Sequence, residues 1–463
     1  MYSSVDTYYF LGIGGIGMSA LARYFAAKGF RVLGYDRTSS PLTKELEAEG
    51  IRVQYDDDLT ILNTLEVGKT LVVRTPAVPE DTPLYSKMRA HGYRIVKRAE
   101  VLGNVTRFER ALCVAGTHGK TTTSTMLAHI LYQSQLGCSA FMGGISNNYG
   151  TNLLINKASD LVVVEADEYD RSFHHLTPYM SVITSMDPDH LDIYGSENTY
   201  CESFMHYASL VKEALVVKRG LTLDTDAIGA AVYTYAQDED ADFSARNVRY
   251  DNSTIVFDFH ALDKVFKNMR MSVPVWVNVE NSVAALSIAY LLGLTEQELR
   301  NGLETFSGVY RRFNVHVNTS NLSYIDDYAH HPEELRASIE SVRRLFPYKR
   351  LLVVFQPHLF SRTRDFAQGF ADVLSTADGL LLLPIYPARE LPIAGVSSQC
   401  LLDLMSVQPS IARLVEKAEL IENIQSIVHE WKGDGFNTVV MTLGAGEIDR
   451  LVQDIKQNLN IYD

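Results

Sequence analysis

Two glycine-rich turns of unlike chemistry, each set between an apolar run and a helix-like stretch, confine this chain to an α/β architecture with two phosphate sites. The first reads Gly12-Ile13-Gly14-Gly15-Ile16-Gly17, and the second Gly116-Thr117-His118-Gly119-Lys120-Thr121-Thr122. Glycines let backbone N–H groups turn toward phosphate oxygens, and the following helix N-terminus adds partial positive charge. A dehydrogenase needs only the first turn and an ordinary ATPase only the second. Both together point to two phosphorylated ligands.

Tyr8–Leu11 reads as a strand before the first turn, and a helix is expected over Met18–Ala27. Gly12, Gly14 and Gly17 match G-x-G-x-x-G. A second strand, Arg31–Tyr35, ends in Asp36, the position that meets a ribose in dinucleotide folds. The fingerprint predicts a bound diphosphate without specifying a nicotinamide. Ala111–Ala115 feeds the second turn and Thr122–Leu131 follows it as a helix. There Lys120 is placed for the β/γ-phosphates and Thr121 for Mg²⁺. The spacing is G-x-x-G-K-T, two residues shorter than the usual P-loop, whose first glycine would fall at Val114.

The chain has 463 residues, enough for two to four domains, and 46% apolar with 21% charged residues is ordinary for a globular protein. A net charge of −14 argues against nucleic-acid binding. Cys113, Cys138, Cys201 and Cys400 lack disulfide or zinc spacing, which fits a reducing, cytoplasmic setting. The apolar stretch Phe10–Ala22 has no basic residue before Arg23, so it is read as loop and helix and not as a signal peptide. No run is long enough to cross a membrane. Nothing in the composition specifies an oligomeric state.

Three segments are expected: 1–105, 106–309 and 310–463, with the polar stretch Asn104–Arg110 as a linker. Strands are expected at Leu71–Val73, Leu161–Val164, Ser181–Thr184, Arg350–Phe355, Leu380–Leu383 and Thr438–Thr442, and a turn at Thr75–Pro79. Continuous apolar strands between helical stretches indicate parallel sheets covered on both faces. Ligands of such sheets bind beyond the carboxyl ends of the strands.

Those ends are polar here. Glu165-Ala166-Asp167-Glu168-Tyr169-Asp170 follows one strand, and a segment with Asp187, Asp189 and His190 follows another. Glu165 and His190 are the candidates to join Thr121 at Mg²⁺; Asp167, Glu168 and Asp170 read as solvated charges or helix caps. In the third segment, Asp326-Asp327-Tyr328-Ala329-His330-His331-Pro332 precedes a helix start at Pro332-Glu333-Glu334, which explains the pattern without a metal. Arg362, after Gln356-Pro357-His358, could hold a carboxylate. Asn278 could read an adenine edge or cap the helix expected over Ser282–Leu292.

Taken together, Gly12–Gly17 with Met18-Ser19-Ala20-Leu21-Ala22, Gly116–Thr122, Glu165–Glu168, Asp189-His190-Leu191-Asp192, Asp326–Pro332, Gln356-Pro357-His358 and Gly444-Ala445-Gly446-Glu447 resemble the Mur ligase family. The shortened phosphate turn is that family's form. The resemblance covers nearly the whole chain. It implies a Rossmann-like N-terminal domain for a UDP-sugar, a central P-loop ATPase-type α/β domain for ATP and Mg²⁺, and a C-terminal Rossmann-like α/β domain for an amino acid.

The implied activity is ATP-dependent amide formation in peptidoglycan precursor synthesis. The lactyl carboxylate of UDP-N-acetylmuramate is activated as an acyl phosphate and then attacked by the amine of L-alanine. Carried over residue by residue, the catalytic set is Lys120, Glu165 and His190, and the metal set Thr121, Glu165 and His190. ATP is expected at Gly116, Thr117, His118, Gly119, Lys120, Thr121, Thr122, Asn278, Arg312 and Asp326. The UDP-sugar is expected at Gly12, Gly14, Gly15, Ile16, Gly17 and Asp36. Tyr328, His330, His358 and Arg362 would surround the amino acid. Two positions depart from many relatives: Val277 stands for His and Leu359 for Arg, which leaves Arg362 as the main carboxylate partner. The alternatives are a family member adding a preformed tripeptide to the same sugar, a nicotinamide-dependent oxidoreductase built on the first turn, and a regulator that hydrolyses ATP. Arg171-Ser172-Phe173-His174-His175-Leu176 favours the alanine branch over the tripeptide one.

Overall fold

The computed structural model describes residues 4–75, 78–189, 191–251, 254–388 and 390–459. It contains three sheets. The first holds β1 (Thr7–Leu11), β2 (Arg31–Tyr35), β3 (Arg52–Gln54), β4 (Thr70–Arg74) and β5 (Arg94–Lys97), all parallel, in the order β3-β2-β1-β4-β5. The order reverses beside β1, so the crevice lies where the Gly12 turn leaves that strand.

The second sheet holds β6 (Arg110–Ala115), β7 (Ser139–Phe141), β8 (Leu153–Leu154), β9 (Leu161–Glu165), β10 (Pro178–Ile183), β11 (Ala214–Lys218), β12 (Ala231–Gln237), β13 (Phe243–Asp251), β14 (Thr254–Ala261) and β15 (Lys264–Met271). Its order is β15-β14-β13-β12-β11-β10-β6-β9-β7-β8. The third runs β16-β17-β21-β18-β19-β20, from β16 (Asn314–Asn318), β17 (Leu322–Asp327), β18 (Arg350–Phe355), β19 (Gly379–Leu382), β20 (Ile411–Leu414) and β21 (Thr438–Leu443). Only β16 is antiparallel to its neighbour there. Central strands such as Ala111–Ala115 and Leu351–Phe355 are buried throughout, as parallel strands covered on both faces must be.

The chain forms two compact units. One comprises residues 1–249, 256–272 and 279–307, and the other 250–255, 273–278 and 308–463. The first unit carries the first sheet and most of the second around a shared core, in which Tyr24 and Phe141 rings lie 5.1 Å apart. The linker expected at Asn104–Arg110 is not a linker. Asn104–Phe108 close the helix Arg98–Phe108, with Val105 and Thr106 buried, and Arg110 opens β6. Polar letters occupy one face of that helix turn while the other packs inward. The helices after the glycine turns begin earlier than expected, at Ile16 and Lys120, and Val277–Leu291 begins ahead of Asn278. The helix Pro332–Leu345 starts as its sequence predicts, with Pro332 in the first turn and Glu334 accepting the N–H groups of His330 and His331. The turn expected at Thr75–Pro79 falls partly outside the described residues. No described helix is long and apolar enough to cross a membrane.

Candidate active site

The Gly12 turn is braced from behind by Asp36. The Gly14 N–H donates to Asp36 Oδ2 at 2.8 Å and the Thr38 N–H to Oδ1 at 3.1 Å. The acid at the expected ribose position therefore shapes the loop. The helix Ile16–Ala27 has Gly15 as its cap and no side-chain cap bond, so its first-turn amides open at the crevice. Arg23 on this helix ties the loop to the second sheet. It pairs with Glu45 and Glu49 and donates to Asn152 Oδ1 at 2.7 Å, while Asn152 donates to Ile16 O and Ser19 Oγ.

The Gly116 turn leaves β6 and is pinned against the end of β10. Gly116 has φ +135°, and a Cβ there would lie 2.1 Å from Thr184 Oγ1, so only glycine fits. The Thr117 and His118 amides donate to Ser185 O and Ser185 Oγ. Those two amides hold the scaffold, and the turn runs on into the N-terminus of the helix Lys120–Gln133, capped by Gly119. Thr123 Oγ1 donates to Asn281 Oδ1 at 3.3 Å, which makes Asn281 the asparagine that meets the helix following this turn. Asn278 is buried, and its N–H donates to Val275 O.

Beyond β9 the strand end carries four acids. Glu165 lies over Gly143, where a Cβ would stand 1.9 Å from its Oε2. Asp167 pairs with Arg98 at 3.0 Å and accepts the Tyr169 N–H, and Asp170 pairs with Lys97 at 2.6 Å. Glu168 is buried and lies 2.8 Å from Lys120 Nζ. Glu168, expected as a solvated charge or cap, is instead inside the protein, while Asp167 and Asp170 stay part-exposed in their ion pairs. Burial opposes the charge on Lys120, but Glu168, Glu165 and Asp167 outweigh it and hold the ammonium above its usual range. Asp170 and Arg171 adopt left-handed backbone at φ 51° and 53°, the strained bend that turns the segment back along the sheet. His190 lies outside the described residues, and no described group of His, Cys, Asp and Glu forms a metal cluster by itself.

In the second unit the carboxyl ends of β17, β21 and β18, neighbours in the sheet, meet. Asp326 is 0% exposed, and its oxygens take Arg311 Nε at 3.1 Å and Thr442 Oγ1 at 2.9 Å. Arg311 also donates to Gly444 O at 2.7 Å. Asp326, expected at a ribose, is accordingly an internal brace. The Tyr328 ring lies 5.3 Å from the Arg311 guanidinium and 5.2 Å from that of Arg312.

The residues expected around an amino acid do gather. Ring centroids of Tyr328 and His330 are 5.3 Å apart, and those of His330 and His358 6.0 Å. Burial, then His330 and Arg362, push His358 down to about 4. Burial lowers His330 against the pull of Glu334, with Arg362 adding to the decrease. Both imidazoles are therefore neutral at physiological pH. Leu359 has φ 70° and ψ 137°, a strained conformation that redirects the chain into the short helix carrying Arg362.

Family models match along most of the chain: the Mur ligase family catalytic domain at residues 7–110, the Mur ligase middle domain at 114–289, and the Mur ligase glutamate ligase domain at 311–446. A UDP-N-acetylmuramate–L-alanine ligase of Porphyromonas gingivalis is 52% identical over 97% of this chain and 98% of its own length. The chain belongs to the Mur ligase family. A second relative of that description, from Parabacteroides distasonis, is 50% identical over 99% of this chain and 98% of its own. The crystal structure of UDP-N-acetylmuramate-alanine ligase MurC from Thermotoga maritima matches with TM-score 0.81 and 26% identity, covering 99% of this chain and 100% of that one. A murein peptide ligase from Psychrobacter arcticus shares the fold, with TM-score 0.69, 20% identity and 98% coverage of each chain.

Mur ligase membership replaces the oxidoreductase and regulator readings. It also fits the three-part α/β architecture, a Rossmann-like sheet followed by a P-loop sheet and a second Rossmann-like sheet. Sequence reasoning assigned no role to Gly143, Asn281 or Arg311 and took Glu168 for a solvated charge or cap. Gly143 is doubled by Gly144, a cue to close backbone approach; the other three are polar letters whose burial only the fold reveals.

Proposed function

We infer that the protein is an ATP-dependent ligase that joins L-alanine to the lactyl carboxylate of UDP-N-acetylmuramate. The reading rests on identity of about half across nearly the whole chain to relatives named for that reaction. Both glycine turns have a use in it: the first carries the sugar nucleotide whose carboxylate is activated, and the second carries the phosphate that activates it.

A carboxylate is a poor electrophile, and phosphorylation gives it a leaving group. The protein must therefore neutralise charge on the transferring phosphoryl oxygens and exclude water from the acyl phosphate. Lys120 supplies a fixed positive charge at the second turn. The Thr121 hydroxyl and the Glu165 carboxylate are the hard oxygen donors that Mg²⁺ takes, so the residues present fit that ion. Thr121, Glu165 and His190 would hold it, and it would supply further charge neutralisation on the phosphates. Asn278 and Arg312 are assigned to the adenine and the phosphates. Tyr328, neutral His330 and His358, and cationic Arg362 form the amino-acid site: the imidazoles leave the amine uncontested by positive charge, and Arg362 takes the carboxylate. A cytoplasmic setting agrees with substrates that are nucleotides.

The test is phosphate release with each substrate omitted in turn. Release should require the sugar nucleotide, ATP with Mg²⁺, and L-alanine together. Substantial release without the amino acid, or with a tripeptide in place of L-alanine, sinks the assignment.

A further inference from the structure

The segment Glu165–Asp170 gives each of three acids a basic partner, but Glu168 stands apart. Its side chain is 3% exposed, against 37% for Asp167 and 34% for Asp170. Its partner is the cation of the Gly116 turn: Lys120 Nζ lies 3.0 Å from Oε1 and 2.8 Å from Oε2. The same ammonium donates to Gly116 O at 2.5 Å and Thr117 O at 3.0 Å. An ammonium has three N–H donors, and these partners use all of them. A nucleotide that engages Lys120 must displace one. The carbonyls belong to the frame of the turn itself, so the exchangeable partner is the carboxylate.

We propose that Glu168 is a positioning residue that stands in for a nucleotide phosphate, holding Lys120 over the turn until a polyphosphate takes its place. The proposal rests on the reading of the Gly116 turn as the ATP site. A carboxylate offers the ammonium the charge sign and acceptor oxygens that a phosphate would. Without it the turn would hold a largely buried cation deprived of its nearest anionic partner, which is costly. The main chain of Glu168 is secured independently of its side chain. Its carbonyl accepts the Tyr194 hydroxyl at 2.5 Å and the Arg171 N–H at 3.0 Å, so the carboxylate can swing aside while the segment stays in place. Glu168 thus stabilises the protein without nucleotide and competes with the nucleotide.

These two effects have opposite signs, which separates the proposal from a plain structural role. Glu168→Gln keeps the volume and removes the charge, and Glu168→Asp shortens the reach. Calorimetric titration with ADP in EDTA, without sugar nucleotide or amino acid, should show both variants binding about tenfold more tightly than the parent, or about 1.4 kcal/mol. The thermal midpoint of the nucleotide-free variants should fall. In steady state the KM for ATP should drop while that for L-alanine stays unchanged. Unchanged or weaker ADP binding in the variants, with the parent binding normally, overturns the role of Glu168 alone. Failure of the parent and both variants to bind ADP up to millimolar concentration overturns the ATP-site reading and this proposal with it.

Discussion

Glu165 rests on Gly143 so closely that a single added carbon, 1.9 Å from Oε2, would occupy the same space. The carboxylate proposed as a Mg²⁺ ligand is positioned by the absence of a side chain on a neighbouring strand end. Gly143→Ala should displace Glu165 and weaken the apparent magnesium affinity by about 10- to 100-fold, as loss of a supporting contact at a metal site does. Sugar-nucleotide binding should be unaffected. Turnover as a function of magnesium concentration is the measurement, and an unchanged half-saturation point refutes the link.

The acid after β2 makes a second case. Both Asp36 oxygens are engaged by main-chain N–H groups, one of them from inside the Gly12 turn. Hydrogen bonds to a charged acceptor are worth about 1.5–3 kcal/mol each. Asp36→Ala should therefore weaken UDP-N-acetylmuramate binding about 10- to 100-fold by loosening the turn, with ADP binding retained. Equilibrium titration with each ligand separates the two effects; equal loss of both would point to global unfolding.

In the second unit, Arg311 and Asp326 form an ion pair with side-chain exposures of 8% and 0%. Removing one member of such a pair leaves a buried charge without compensation and costs about 3–5 kcal/mol. Asp326→Ala should lower stability by that amount in urea titration. A loss below about 1 kcal/mol would show that the pair is not the brace described.

His129 sets a pH dependence of stability. It is buried, with Tyr149 Oη 2.8 Å from Nδ1 and Thr305 Oγ1 2.9 Å from Nε2, and burial pushes it down to about 4 from 6.5. A folded-state value below the unfolded one means that folding favours the neutral ring. The contribution is complete above pH 6.5 and is lost as pH falls from there toward 4. The thermal midpoint should therefore decline across that window. His129→Asn should lower the midpoint at pH 7.5 yet flatten the decline; an equally steep decline would assign it to other groups.

The glycine turns were legible because their information is local: a strand, a fixed glycine spacing and a helix follow one another in a dozen residues. Strand cores such as Arg350–Phe355 were legible for the same reason. Glu168 was not, because Asp167-Glu168-Tyr169-Asp170 reads identically whether it faces water or Lys120. The different surroundings of Arg311 and Arg312 also escaped the sequence. Arg311 sits at φ 60°, and this left-handed step accompanies its burial against Asp326 while Arg312 stays partly exposed toward Glu334. Likewise Asn104–Phe108 looks like a linker by composition, because its buried residues, Val105 and Thr106, are flanked by polar ones.

The shared core beneath the first two sheets bears on how this chain could be divided. Family segments end at residue 110 and resume at 114, which invites excision there. Yet the Tyr24 ring packs at a tilt against Phe141, and Arg23 reaches Asn152, across that junction. A fragment cut at the boundary would present aromatic surface to solvent and lose the Asn152 contact of Arg23, which would keep only Glu45 and Glu49. The two glycine turns therefore stand on one interior, and cutting between them divides the support of both.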